Sequence, residues 1–373
     1  MVATARRSVR GFALAATVFA LVLIGALIAG VFFAARQSLR VGENVQSAQR
    51  AFDAAEAGLH SVVAHWDPTA YDALARGRTA AFAGRLAGGT GSYDGVVLRL
   101  NRWLFLIRST GRDAAGLAQR SVGGLLRLSP APLTFAAALT VSGPLAVSGA
   151  SRVEGADQPP AGWDCPPPGP SSAGVVVRDA DAVTESDCAD GACLRGNPPV
   201  RVVAGSGDAA SVDSAWRALA AHAGKVYGAE DEEVISPRPV GTAAACDSSA
   251  RDNWGDPAVP PSAAGCRQYY PIILALGDLK VSGGIGQGIL LVSGDLRVDG
   301  GFVFYGPVVV RGKLSVINGG GRLLGGVRAS DASLQPSGAG AAEVAFSDCA
   351  LSNALLSGAP ATPLTRRWWA QLF

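Results

Sequence analysis

The sequence predicts an α+β protein: a long N-terminal transmembrane and amphipathic helix, a β-meander, and a β-solenoid-like (β-helix) region with a cysteine-containing insertion. Three observations predict it. Phe12 to Ala35 is an unbroken run without a charge. At about 1.5 Å per residue, such a helix crosses a hydrocarbon core of roughly 30 Å. The apolar residues after it keep a helical spacing. Further on, a Gly-Asp-Leu-x-Val-x-Gly segment that starts at Gly277 recurs at Gly294 and, in degenerate form, at Gly312.

Composition excludes some classes. Lys+Arg is 32 and Asp+Glu is 30, a net charge of +2 with no basic-aromatic patch, so nucleic acid is not an expected partner. With 49% apolar and 17% charged residues the chain is not disordered. The 48 Gly and 22 Pro call for many turns.

The basic residues Arg6, Arg7 and Arg10 precede the apolar run. Positive charge stays on the cytoplasmic side, which places the bulk of the chain outside. A cleaved secretory signal is the alternative, but its apolar region is usually about 7–15 residues long. The run here is longer, and Phe33 sits where a small residue would be needed. Beyond the span, Val45, Ala48, Phe52, Ala55, Leu59, Val62 and Trp66 follow spacings of 3 and 4, until Asp67-Pro68 stops the helix. Such a stripe packs on its own domain or on another subunit, and the sequence leaves both open.

Arg10-Gly11-Phe12 followed by an apolar helix resembles the cleavage site of type IV pilins and type II secretion pseudopilins. The stretch Ala54-Ala55-Glu56-Ala57-Gly58-Leu59 resembles a segment in the N-terminal region of PilX-type minor pilins. The resemblance covers about residues 6–66. It implies cleavage by a prepilin peptidase between Gly11 and Phe12, methylation of Phe12, anchoring in the lipid bilayer of a bacterial inner membrane with a cytoplasmic N-terminus, and other pilin-like subunits as partners. Major pilins carry Glu at the fifth mature position, where this chain has Ala16. That departure implies a minor, tip or initiator role.

Tyr93 to Ile107 is rich in strand formers, Ser109 to Asp113 reads as a turn, and Leu117 to Leu128 returns as a second strand region. Gly277-Asp278-Leu279-Lys280-Val281-Ser282-Gly283 recurs as Gly294-Asp295-Leu296-Arg297-Val298-Asp299-Gly300, and in degenerate form from Gly312 to Gly319. Each copy follows an apolar strand. Leu139–Gly143 and Leu145–Gly149 read as an earlier pair of such segments. This period suggests stacked turns of a solenoid, with Leu279, Val281, Leu296, Val298, Leu314 and Val316 inward. A sandwich is the competing fold. Asp278 and Asp295 occupy matching corners, where each is expected to bond its own turn rather than calcium.

Residues 156–268 read as a loop-rich insertion, with one helix from about Ser211 to Tyr227 and an acidic run at Glu230–Glu233. The six cysteines lie beyond the span, where disulfides persist. Cys188–Cys193 and Cys246–Cys266 would close local loops, leaving Cys165–Cys349. Spacing does not fix the connectivity. No zinc spacing occurs, and Asp179, Asp181 and Asp187 lack an EF-hand's Gly and Glu. No hydrolase, metalloprotease or nucleotide-binding motif is present, and His60, His65 and His222 cannot be placed beside a nucleophile. No catalytic residue, metal or cofactor is therefore expected. The aromatic tail Arg366–Phe373 is expected to cap the open solenoid end, to lie on the core, or to bind another subunit.

The chain divides into a basic leader (1–11), the pilin-like helix (12–66), a meander (67–130), first solenoid strands (131–155), the insertion (156–268), the main repeats (269–346), and a C-terminal helix and tail (347–373). Two functions follow: a structural minor pilin or pseudopilin-like subunit of a type IV pilus or type II secretion pseudopilus, or a membrane-anchored adhesin or exoplasmic enzyme using the same head.

Overall fold

The computed structural model describes residues 12–71, 74–101, 103–130, 133–189, 191–204, 209–228, 233–337, 340–357, 359, 361–364 and 368–372. The chain forms two compact units. One comprises Met1–Asp67, Leu74–Arg127 and Pro363–Phe373, the other Pro68–Ala73 and Leu128–Thr362.

The first unit is built on α1 (Phe12–Ala64), a helix of 53 residues, about 80 Å long at 1.5 Å per residue. Its second half lies on an antiparallel meander of β1 (Thr79–Arg85), β2 (Gly91–Arg99), β3 (Leu104–Asp113) and β4 (Gln119–Leu128). The strand Trp369–Leu372 pairs antiparallel with β4. The buried face of α1 is Ala51, Ala54, Ala55, Gly58, Leu59 and Val62. It lies on β3, where Phe105 and Ile107 are buried; Val122 and Leu126 of β4 are buried as well, and Gly124 of β4 makes room for Leu59. Small residues make this approach close. A Cβ on Gly111 of β3 would lie 2.2 Å from both the Ala51 carbonyl oxygen and the Ala55 nitrogen.

The strand boundaries differ from the sequence expectation. Tyr93–Ile107 is interrupted, because Asn101 Oδ1 accepts from the Trp103 and Leu104 N–H groups (both 2.9 Å) and closes a turn there. Ser109–Asp113 is strand, not turn. Gly111 is there for close packing, not for chain reversal. β1, with few strand formers, was not foreseen.

The second unit is a solenoid-like stack of parallel strands. Leu279 pairs with Leu296, Leu296 with Leu314, and Leu314 with Ala332. The apolar strands stack likewise: Ile272–Ala275 on Ile289–Val292, then Phe302–Val310, then Gly321–Ala329. The repeat offsets are thus the stacking register. Leu279, Val281, Leu296, Val298, Leu314 and Val316 point inward and are buried, as alternation along a strand requires. Gly283, Gly300 and Gly319 turn each corner with φ of 70°, 62° and 78°, a conformation costly for other residues. Trp254 is fully buried in this core, its Nε1–H donating to Tyr227 Oη at 2.8 Å. The outer side of the apolar strands is covered too: Trp216 and Leu219 of the helix Ala209–Ala220 and Ala354 of the helix Asp348–Leu356 pack with Leu274, Ile289, Leu291 and Val309.

Four expectations need correction. Leu139–Gly143 and Leu145–Gly149 are two sides of one coil, not a pair of copies: Leu139 pairs with Val327 and Leu145 with Ala332. That coil stacks on the last repeat although it precedes the first in sequence. The insertion also supplies strands at both ends of the stack, Val183–Ser186 on Leu145–Ser148 and Glu233–Ile235 on Leu279–Ser282; these segments are short and lack the repeat's glycines. Its helix is Ala209–Ala220, and Tyr227 belongs to the strand Lys225–Tyr227. Asp278 Oδ1 accepts from the Asp295 N–H at 2.8 Å and Asp295 Oδ1 from the Lys313 N–H at 2.9 Å. The corner carboxylates bond the next coil rather than their own turn, because Gly294 leaves room for the Asp278 side chain.

Candidate functional site: the exposed part of the long helix

The two halves of α1 have different surroundings. Residues 14–46 are exposed throughout, whereas the buried face begins at Ala51. The exposed part is about 50 Å long. Leu14 is 75% exposed and Phe33 72%. Leu21, Val22, Leu23 and Ile24 are consecutive and all exposed. Successive helical residues turn through about 100°, so these four cover every face. A helix apolar all round, with its backbone hydrogen bonds satisfied internally, suits a hydrocarbon solvent. It is long and apolar enough to cross a membrane.

The first charges are Arg36, Arg40 and Glu43. Between them and the buried face lies a middle segment, residues 36–50, with a different character. Val41 and Val45 are 56% and 64% exposed, and Ala48 and Phe52 continue their row at spacings of 4, 3 and 4. Val41 was missed in the sequence; its spacing to Val45 is the signal that could have found it. Lower on the row, Phe52 is half-buried, its ring 6.0 Å from that of Trp369. The row runs on at the same spacing into Ala55, Leu59 and Val62 of the buried face: one stripe is exposed at Val41 and Val45, half-buried at Ala48 and Phe52, and covered from Ala55 on. The uncovered Val41 and Val45 can do one thing chemically, which is to pack against another apolar surface.

The tail does not cap the solenoid. Trp368 lies beside His60 (ring centroids 5.7 Å) and Trp369 beside Phe52, both on α1. Gly123 and Gly124 of β4 make room for Leu372 and Trp368. Arg366, Arg367 and Phe373 lie outside the described residues, as do Gly11, the rest of the leader and Glu230–Glu232. Phe12 begins α1; Ala35 ends the uncharged run and is exposed.

Cys165 is bonded to Cys349, Cys188 to Cys193, and Cys246 to Cys266. The first joins the insertion to the helix Asp348–Leu356. Glu185 lies near Cys188 and Cys193, but both sulfurs are in a disulfide and Glu185 Oε2 accepts from the Cys193 and Leu194 N–H groups at 2.9 and 3.2 Å. This is a braced turn, not a ligand set. Asp179 caps the Asp181 N–H at 3.0 Å. His65 Nδ1 contacts the Ser61 carbonyl oxygen at 3.1 Å, and His60 is 3.9 Å from Glu56. The structure does not bring these histidines and aspartates together.

The most unusual electrostatic group is Lys225, buried and donating to the carbonyl oxygens of Ser248 (2.6 Å) and Ala250. Burial pushes its ammonium below the usual lysine range, partly offset by Asp247 and Asp252. The Arg238 hydrogen bond holds Asp252 below the usual carboxylate range, and Ser249 does the same for Asp247. These groups tie down the insertion.

No protein-family model matches the chain, and no curated protein matches it. Among solved structures, the chain is similar to the competence-associated pilin ComZ from Thermus thermophilus, at 13% sequence identity and a TM-score of 0.28, over 87% of this chain and 97% of that one.

Proposed function

We propose that the chain is a structural, pilin-like subunit anchored in the bacterial inner membrane by residues 12–35 and joined to other pilin-like subunits through the middle of α1. The observation that carries this is the division of α1 into an all-round apolar part, a middle part where the apolar stripe is still uncovered at Val41 and Val45, and a sheet-packed part. Arg6, Arg7 and Arg10 support a cytoplasmic N-terminus. In this reading a prepilin peptidase cleaves between Gly11 and Phe12, and Ala16 in place of an acid marks a low-copy, minor member of a type IV pilus or type II secretion pseudopilus. The head serves assembly or presentation, not catalysis.

The test is Val45→Asp in the full chain, expressed with its partner subunits. Val45 is 64% exposed, so the fold should melt unchanged while co-purification with the other subunits is lost. Co-purification equal to wild type would remove the middle segment from the interface. Mass measurement of the mature N-terminus tests the processing: an intact Met1 in a host with an active prepilin peptidase refutes it.

A further inference from the structure

The geometry points to a binding site for a small oxyanion on the outer face of the parallel stack, between Arg152 and Arg322. The pairing register places Arg322, Glu343 and Arg152 in one row across three neighbouring strands. Their sequence neighbours Leu323, Val344 and Val153 are buried in the core, so strand alternation turns this row outward. The row borders a cleft of about 310 Å³, whose other walls are small residues such as Gly301, Gly321 and Ala342.

Two cations share one anion. Glu343 Oε1 accepts from Arg152 Nη2 at 3.0 Å, and Glu343 Oε2 lies 2.8 Å from Arg322 Nε. With all three ionised the cleft carries a charge of +1, and Glu343 is the one acid among the described residues lining it. Each guanidinium offers about five N–H donors in a planar fork. Among the described residues, Arg152 gives one hydrogen bond, to Glu343, and Arg322 Nη2 gives one to Gln158 Oε1 at 3.3 Å. Arg322 Nε is buried against Glu343 Oε2 at 2.8 Å, so the donors left for a ligand are the remaining Nη groups of the two guanidiniums. An ion-pair ladder alone needs no cleft beside it. Paired guanidinium forks with N–H groups left over beside a small-walled cleft suit a phosphate or a carboxylate bound through two or more N–H groups. The ligand class is therefore an oxyanion, either a free phosphate or the carboxylate of an acidic saccharide.

The test uses the full chain in detergent micelles, titrated separately with inorganic phosphate and with glucuronate at constant ionic strength. Saturable binding of one of them is expected. Tighter phosphate assigns the first source, tighter glucuronate the second. Arg152→Gln and Arg322→Gln should each weaken binding tenfold or more, or about 1.4 kcal/mol. Glu343→Gln should tighten it, because the carboxylate that competes for the same donors is gone. That variant separates a site from a structural ladder, which would show only a lowered melting temperature. Absence of saturable binding of either anion by the wild type overturns the proposal, as does affinity unchanged in both arginine variants.

Discussion

Gly111→Ala adds one methyl group where α1 and β3 touch backbone to backbone. The new Cβ would stand 2.2 Å from the Ala51 carbonyl oxygen, 2.2 Å from the Ala55 nitrogen and 2.8 Å from the Ala54 carbonyl carbon. All three are backbone atoms of a regular helix, so no side chain can swing aside. The helix and strand must move apart until these contacts reach an ordinary van der Waals separation. That movement loosens the layer holding Ala51, Ala54, Ala55 and Leu59, which are 0–1% exposed. Overpacking of this kind costs about 1–3 kcal/mol. Hydrogen exchange on the full chain in micelles reads it directly, since every ~1.4 kcal/mol is tenfold in an opening constant. The amides of residues 51–62 should exchange roughly five- to 150-fold faster. Gly42→Ala is the control: nothing lies within 4 Å of its Cβ, and an alanine in a helix interior stabilises by about 0.5–1 kcal/mol. Wild-type protection in Gly111→Ala would refute the close approach of α1 to β3.

Phe52→Asp should lower the melting temperature through loss of the Trp369 contact, by about 2 kcal/mol for a half-buried ring; a variant that melts like wild type would show that this ring carries no packing. Asp295→Ala should cost about 1–2 kcal/mol by freeing the Lys313 N–H, read as faster exchange of that amide, whereas Asp187→Ala, on an exposed turn, should leave it unchanged. Asp247 and Asp252 have depressed folded-state pKa values, so their stabilising contribution is full above the ordinary Asp value of 3.8 and is lost as pH falls through the lower folded values. Protection factors in residues 238–253, with the intrinsic pH dependence of amide exchange divided out, should fall below pH 3.8 and stay flat from there to neutrality; a fall beginning at higher pH would refute that assignment.

The sequence carried the helix and the register of the main stack because both are local periodicities. Leu279, Leu296 and Leu314 stand one above the other at the offsets of the motif itself. The order of the coils was not legible. Each coil edge offers the same row of N–H and C=O groups, so nothing in Leu145–Gly149 says that it docks on Asp331–Leu334 instead of on the first repeat. The face of α1 that meets the sheet was only partly legible. The apolar stripe selects Ala55, Leu59 and Val62, which are buried, but it passes over Ala51, Ala54 and Gly58, whose hydrophobic signal is weak although they too are buried against the sheet. Gly111 was read as a turn for the same reason: a glycine that admits a neighbouring backbone looks in sequence like one that reverses the chain. Within the candidate site, Val45 was marked but its exposure was not, since a stripe does not declare its partner.

The strand Trp369–Leu372 closes the edge of the meander beside β4, yet all of Leu128–Thr362 separates it from its neighbour in sequence. During synthesis α1 and the first four strands are made early, and the strand that covers Gly123 and Gly124 and brings Trp368 and Trp369 onto the helix emerges only after every coil of the stack. Contacts of such separation carry a large loop-closure cost unless the intervening chain is already compact. Folding of the head draws the two ends of that long excursion together and so lowers the cost. The part of the molecule made first is thereby finished last, and a defect deep in the coils would surface as an unfinished edge on the meander.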